Sequence, residues 1–409
     1  MPVGGPGVTT GPTGTLPKGD PNVLLTRTGS PGPIPAAADL SAAARGEQAF
    51  GLALYGQVAS RPGNLAIAPT SIATVLGMVA AGAKGATETQ LVAALRIPLP
   101  PAQLHAAIGG LVRTLATRST DAVILSEVDQ AWVQQKLNLL DGFTGTLTRD
   151  YAAPLARIDF ADPQRAAATI NAWISARTHA KIPKLLTPEA LDAAELVLTD
   201  AVYLDAKWEH GFDAKLTNAQ PFQLANGQAV SVPTMHQTEE LGTARGDGWS
   251  AVALPYKDGA LEMDIVVPDD LDRFQRGLDA ATFDRIVGSL APAEVALSLP
   301  RFEFRARFDN LQPELGKLGV RDAFDPERAD FSGMTGDRSL YLSAVVHEAF
   351  VHVDEQGTVA AAATGGVMEK SSAPMVTTVR IDKPFLFAVR DRATGAIVFL
   401  GRVTDPRAH

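Results

Sequence analysis

The chain has 409 residues and a net charge of −9, from 36 basic and 45 acidic side chains. That balance argues against nucleic acid or an anionic membrane as the main partner. The absence of cysteine leaves no disulfides and no reading of redox compartment.

In chain order, the first 37 residues carry eight prolines and eight glycines with little periodicity. They are expected to form a disordered extension without a core. Length alone suggests two or three domains. No Pro/Gly-rich or charged linker divides the remaining residues, so 38–409 are read as one domain. A domain of that size buries about three quarters of its unfolded surface. The longest nearly apolar run, residues 72–83, is too short to cross a bilayer and reads as a buried helix. No N-terminal stretch has the basic, apolar and small-residue regions of a secretory signal, and no N-x-[ST] site exists.

Toward the C-terminus, residues 345–353 alternate like a strand, with Val345, His347, Ala349, Val351 and Val353 on one side and Glu348, Phe350 and His352 on the other. A zinc helix needs its histidines four apart on one face. His347 and His352 are five apart on opposite faces of a strand, so one metal cannot bind both, and no metal or other cofactor is expected. There is no G-x-S-x-G elbow, Walker loop or dinucleotide fingerprint, so no catalytic residues are assigned.

Then comes Glu355-Gln356-Gly357-Thr358-Val359-Ala360-Ala361-Ala362-Ala363-Thr364. Alanines favour helix, but Gly357 and Thr358 interrupt it on one side and Gly365-Gly366 on the other. The small side chains suit a coil, or a segment that slides between two existing strands. Residues 376–380 are a β-branched run. Residues 383–389 and 396–401 read as two strands of a hairpin through the turn at 390–395.

This tail, E-x-G-T-x-A-A-A-A-T followed by Lys383-Pro384-Phe385-Leu386-Phe387 and Phe399-Leu400-Gly401-Arg402-Val403-Thr404-Asp405-Pro406, resembles the reactive loop and C-terminal strands of a serpin. The resemblance continues upstream in serpin order. It is carried by Asn64 to Leu91 with Gly82-Ala83-Lys84-Gly85-Ala86-Thr87, by Ile170-Asn171-Ala172-Trp173-Ile174, and by Val202-Tyr203-Leu204-Asp205-Ala206-Lys207-Trp208. Val232-Pro233-Thr234-Met235, Leu299-Pro300-Arg301-Phe302 and Ala329-Asp330-Phe331-Ser332-Gly333 extend it, so that it spans roughly residues 40–406.

The resemblance implies an α+β fold with about nine helices, three β-sheets and an exposed reactive loop from about 355 to 378. It implies an irreversible suicide inhibitor of serine proteases, monomeric and exported by family habit, rather than an enzyme. Cleavage of the loop would let Thr358, Ala360, Ala362 and Thr364 enter a sheet on one face. Counting seventeen positions from Glu355 places the scissile bond at Ser371-Ser372, which predicts elastase- or subtilisin-like targets. Lys370-Ser371 is the alternative and predicts trypsin-like ones. Counting back from Ile381 and Phe385 reaches Ala373-Pro374, a poor substrate bond because proline fixes φ and lacks an N–H.

By the same resemblance Glu355 and Arg301 form an exposed ion pair at the top of the sheet, Trp208 lies beneath the loop's point of insertion, and His347 belongs to a gating cluster with Ser71 and Asp200. Two departures stand out: Asp200 replaces the usual Asn, and Ala68 a usual Ser. An Asp200–His347 pair favours imidazolium, so sheet opening is expected to depend on pH. Gly365-Gly366 weakens a strand, so some protein should be cleaved as a simple substrate. Other readings keep the fold: a non-inhibitory binding or chaperone-like protein, or an inhibitor of cysteine proteases. The Ala/Arg/Asp-rich composition fits a high-GC bacterial source.

Overall fold

The computed structural model describes residues 24–26, 30–153, 155–358 and 376–408. Among these are ten α-helices and two sheets. The first sheet runs in the order Leu24–Thr26, Leu155–Ile158, Val123–Gln134, Leu196–Lys207, Ala344–Val353, Phe302–Phe308, with Gly357–Thr358 added beside Leu196–Lys207. The second has nine strands. The single 18-residue strand Ala229–Gly246 pairs with Asn218–Gln223, Ala291–Pro300 and Trp249–Pro255, which fuses the expected second and third sheets into one. The predicted C-terminal hairpin is Phe385–Asp391 against Ile397–Val403.

Both faces of the first sheet are covered, and the alternation of Leu196–Lys207 divides them. Leu196, Leu198, Val202, Leu204 and Ala206 join the main core with helices Ala37–Val58 and Pro69–Ala80. Val197, Ala201 and Tyr203 join a second cluster under helix Pro163–Arg177. Helix Pro69–Ala80 holds the start of the predicted apolar run and is buried along its whole length, with proline at its first position where no N–H is needed. On the other face Trp132 and Trp173 meet edge to face at 5.3 Å, and the Trp132 indole N–H donates to Thr199 Oγ1 at 2.8 Å.

Leu196–Lys207 and Ala344–Val353 pair in parallel from Val197↔Ala344 to Tyr203↔Phe350, and no further. Above that point the seam between them is unzipped. The first sheet's neighbouring pair, Val123–Gln134 against Leu196–Lys207, stays joined from Leu196 to Ala206.

Trp173, with Ile170 and Ile174, ties helix Pro163–Arg177 to this sheet, and it is nearly fully buried. Trp173→Ala should cost about 3–5 kcal/mol, read as a lower urea midpoint at unchanged slope. An unchanged midpoint would show that the helix is held by its flanking loops instead.

Candidate functional site

The site has an upper part, at the open mouth of the seam, and a middle part across the closed sheet. At the mouth, strand Ala344–Val353 ends and the chain reverses within four residues. The Asp354 N–H donates to Gly357 O at 2.9 Å, and the Gln356 N–H donates to Asp354 Oδ1 at 2.9 Å. Gly357 then pairs antiparallel with Lys207, and Thr358 with Ala206. Gly357 has φ +147°, and a Cβ there would lie 1.9 Å from Ala206 O, so only glycine fits.

Each neighbour holds this turn. The Trp208 N–H donates to Gln356 O at 2.8 Å, its indole N–H to Asp354 O at 3.0 Å, and the Phe212 N–H to Glu355 O at 2.7 Å. Trp208 stacks on Tyr256 at 4.6 Å, and the Tyr256 hydroxyl meets Thr358 Oγ1 at 3.0 Å. Burial pushes the Tyr256 phenol well above its ordinary range, keeping it neutral and able to donate. Arg301 Nε donates to Glu355 Oε1 at 2.7 Å, and Arg301 Nη2 and Thr217 Oγ1 reach the same oxygen. This differs from the expected exposed pair. Glu355 is only 6% exposed, while Arg301 reaches in from solvent.

Beside the turn, His352 contacts Glu303 through Nδ1 and Asp354 Oδ2 through Nε2, the latter at 3.3 Å. The hydrogen bond to Asp354 raises the His352 pKa against the opposing effect of burial, and Glu303 adds to the rise.

In the middle of the sheet, register places Asp129, Asp200, His347 and Phe308 in one row across four adjacent strands. His347 Nδ1 lies 3.0 Å from Asp200 Oδ1, both side chains fully buried, and this contact crosses the closed part of the seam. Phe308 stacks on the His347 ring at 5.9 Å. Ser71 Oγ, from helix Pro69–Ala80, donates to Asp129 Oδ1, so it joins the row through Asp129 rather than through His347.

The structure thus brings together Glu355, Arg301, Gly357, Thr358 and Trp208 at the mouth, and Ser71, Asp200 and His347 below it. Ala360, Ala361, Ala362, Ala363, Thr364, Lys370, Ser371 and Ser372 lie outside the described residues. Sequence reasoning missed Thr217, Tyr256, Glu303 and Asp129. One signal was present: Glu127 and Asp129 occupy the odd positions of Val123–Gln134 where Val123, Leu125, Ala131 and Val133 are buried and apolar. As for metals, no group of three or more His, Asp or Glu side chains among the described residues could hold an ion.

Two outcomes are expected. Gly357→Val should expel the turn from the mouth, so the Trp208 backbone amide exchanges about tenfold faster, the loss of roughly one hydrogen bond, and Trp208 emission shifts to the red. Retained protection would mean the pairing is incidental. Because the His352 pKa is raised in the fold, its contribution is complete below the unfolded value near 6.5 and is lost as pH rises through the folded one. Wild type should therefore lose Trp208 amide protection above neutral pH, whereas His352→Gln should show that part of the dependence removed. Parallel pH profiles for the two would mean that His352 does not hold the turn through Asp354.

Comparison with known proteins agrees with this geometry. The family model described as serpin (serine protease inhibitor) matches residues 45–406. A leukocyte elastase inhibitor of Bos taurus is 34% identical over 357 residues, covering 84% of this chain and 93% of the relative. A serpin-like protein of Methanosarcina acetivorans is 30% identical over 368 residues, covering 89% and 86%. Among solved structures, native tengpin, a thermophilic serpin, superposes with a TM-score of 0.82 at 24% identity over 93% of this chain and 97% of its own. Native protease nexin-1 with heparin gives 0.78 at 28% identity over 90% and 100%. With this fold and a family match that spans residues 45–406, the protein belongs to the serpin family.

Proposed function

We propose that the protein is a single-use trap for serine proteases, driven by insertion of its cleaved loop into the seam between Leu196–Lys207 and Ala344–Val353. The observation that carries this reading is the antiparallel pairing of Gly357 with Lys207 and of Thr358 with Ala206 at the unzipped mouth. Continuing that register down the seam sets Ala360 opposite Leu204, Ala362 opposite Val202 and Thr364 opposite Asp200. These even-numbered positions then face the main core, as Leu204 and Val202 do, where only small side chains fit.

The chemistry is acyl transfer. The protease serine hydroxyl attacks the carbonyl of Ser371, the peptide C–N bond breaks, and the amine of Ser372 leaves with the proton. What remains is an ester joining protease to loop. In an ordinary substrate water then hydrolyses that ester. Here the cut frees the loop from its C-terminal tether, and about ten new backbone hydrogen bonds at roughly 1 kcal/mol each favour insertion. The bound protease is carried along, and distortion of its active site leaves the ester intact. His347 has to leave Asp200 for the strand to pass, which gives the row across the sheet its gating role. Arg301, Glu355 and Trp208 gate the mouth.

Ser371-Ser372 suits an elastase- or subtilisin-like protease, and relatives named leukocyte elastase inhibitor support that class. Lys370-Ser371 suits a trypsin-like one. The unit that acts is the domain of residues 38–409, as a monomer.

Incubation with pancreatic elastase, subtilisin and trypsin, followed by a denaturing gel and the mass of the released peptide, tests this. Expected is a denaturant-stable complex with elastase or subtilisin and a peptide beginning at Ser372; a peptide beginning at Ser371 moves the bait to Lys370. Clean cleavage with every protease left active would overturn the reading in favour of a non-inhibitory serpin. Thr358→Arg, which puts a charge against Tyr256 in the buried mouth, should be cleaved at the same bond with complex yield reduced at least about tenfold, the order expected for an unpaired buried charge.

A further inference from the structure

Around Asp129 and Asp200 of the row across the sheet lie two further acids, Glu47 and Glu127, that the insertion mechanism does not use. Glu47, from helix Ala37–Val58, is fully buried, and Glu127 and Asp129 approach it from strand Val123–Gln134 with Asp200 on the next strand. Glu47 Oε1 and Oε2, Glu127 Oε1, Asp129 Oδ2 and Asp200 Oδ2 are buried and have no hydrogen-bond partner among the described residues. Four carboxyl groups this close cannot all be ionised without a compensating charge.

The surrounding elements supply little. Helix Pro69–Ala80 contains no charged residue and gives only the Ser71 hydroxyl, bonded to Asp129. Strand Ala344–Val353 gives His347, already on Asp200. Phe308 stacks on that histidine and holds the Arg61 guanidinium over its ring at 4.5 Å. From helix Asp141–Tyr151, Tyr151 faces Glu47 and is bonded at 2.9 Å to His105 of helix Pro101–Ala116, whose pKa burial lowers, while the exposed Arg149 is spent on Asp150. The charges that Glu47, Glu127 and Asp129 feel are one another's and that of Asp200. With no set of ligands for a metal among the described residues, the charge is removed by protons.

Position gives this cluster its consequence. Val123–Gln134 and Leu196–Lys207 stay paired over eleven positions and both pack on helix Pro69–Ala80, so a widening of the seam on this side shifts the two strands together over that helix. Ser71 on Asp129 is a hydrogen bond across that surface, and Glu47 lies within electrostatic reach of Glu127. We propose that protons on this carboxyl cluster are the latch on sheet opening: with Glu47, Glu127 and Asp129 neutral the sheet stays shut, and their ionisation drives the strands off the helices and parts the seam. The proposal deepens the insertion reading by giving it a regulator.

Burial, then repulsion from neighbouring carboxylates, raises all three pKa values, that of Glu127 to about 8. A raised carboxyl pKa means the closed state holds protons that a hydrated, open state releases. Its stabilisation is complete below the unfolded value near 4, falls as pH rises, and is gone once the folded value is passed. The sheet therefore opens more readily on the alkaline side.

The test needs no protease, so it stands apart from whether the protein inhibits one. Hydrogen exchange of the amides of Val197–Tyr203 and Ala344–Phe350, corrected for intrinsic rates, is followed from pH 6 to 9. In wild type the open fraction should rise at least about tenfold, one pKa unit's worth, with a midpoint near 8. Glu127→Gln and Glu47→Gln, which mimic the neutral acids, should hold it low and flat. In parallel, the infrared carbonyl band of dry, protonated carboxyl groups should be present at pH 6, weaken by pH 9 in wild type and be weaker at pH 6 in Glu127→Gln. A flat wild-type profile, an unchanged profile in both variants, or no such band at pH 6 would each overturn the proposal. If neither variant folds, the wild-type band decides.

Discussion

A parallel pair of strands has no short connection to hold it together, and Leu196–Lys207 and Ala344–Val353 are joined only through their ladder and the side chains that cross it. Their ladder covers seven of the twelve positions of Leu196–Lys207 and stops where Tyr203 meets Phe350. The chain leaving Val353 turns back through Asp354–Gly357 and occupies the vacated edge with two residues. Everything at the site depends on that incomplete seam. A strand edge buried between two cores presents unmet donors and acceptors, and the segment best placed to satisfy them is the one already at its mouth.

Two kinds of contact resist completion. At the mouth they are local and polar: Arg301 and Thr217 on Glu355, Trp208 on the turn, Tyr256 on Thr358. Arg301 is partly in water, so its pair with Glu355 contributes little to stability. Its effect lies in orienting a buried glutamate that fixes where the chain turns. In mid-sheet the contacts are buried: Asp200–His347 across the seam, and Ser71–Asp129 between helix Pro69–Ala80 and the sheet, beside the unpartnered carboxyl oxygens. In the proposed trap, the first set directs the loop and the second sets the cost of letting it pass.

Much of this was readable from the chain. The buried helix, the alternation of 345–353 and the C-terminal hairpin follow from periodicity and turn chemistry, although the helix begins three residues before the apolar run 72–83 and ends at Ala80. Gly357 was legible as a helix breaker, but its close approach to Ala206 O depends on a strand about 150 positions earlier, which no local pattern encodes. The pairing of Asp200 with His347 was expected from family resemblance, whereas its extension to Asp129 comes from the register of three strands. Glu127 and Asp129 broke an apolar alternation and so carried a signal. Glu47 did not, because a single acid in an alanine-rich helix looks like a solvated one until the packing is known.

A single-use trap requires that the intact protein hold its seam open at a cost that insertion of the loop would remove. Thermal unfolding of the intact protein and of protein nicked once within residues 359–375 measures this most directly. A large rise in Tm after cleavage, of tens of degrees, is expected, as about ten added hydrogen bonds and their buried surface imply for a chain this long. An unchanged or lower Tm would mean that the loop does not enter the sheet, and the trap would be excluded.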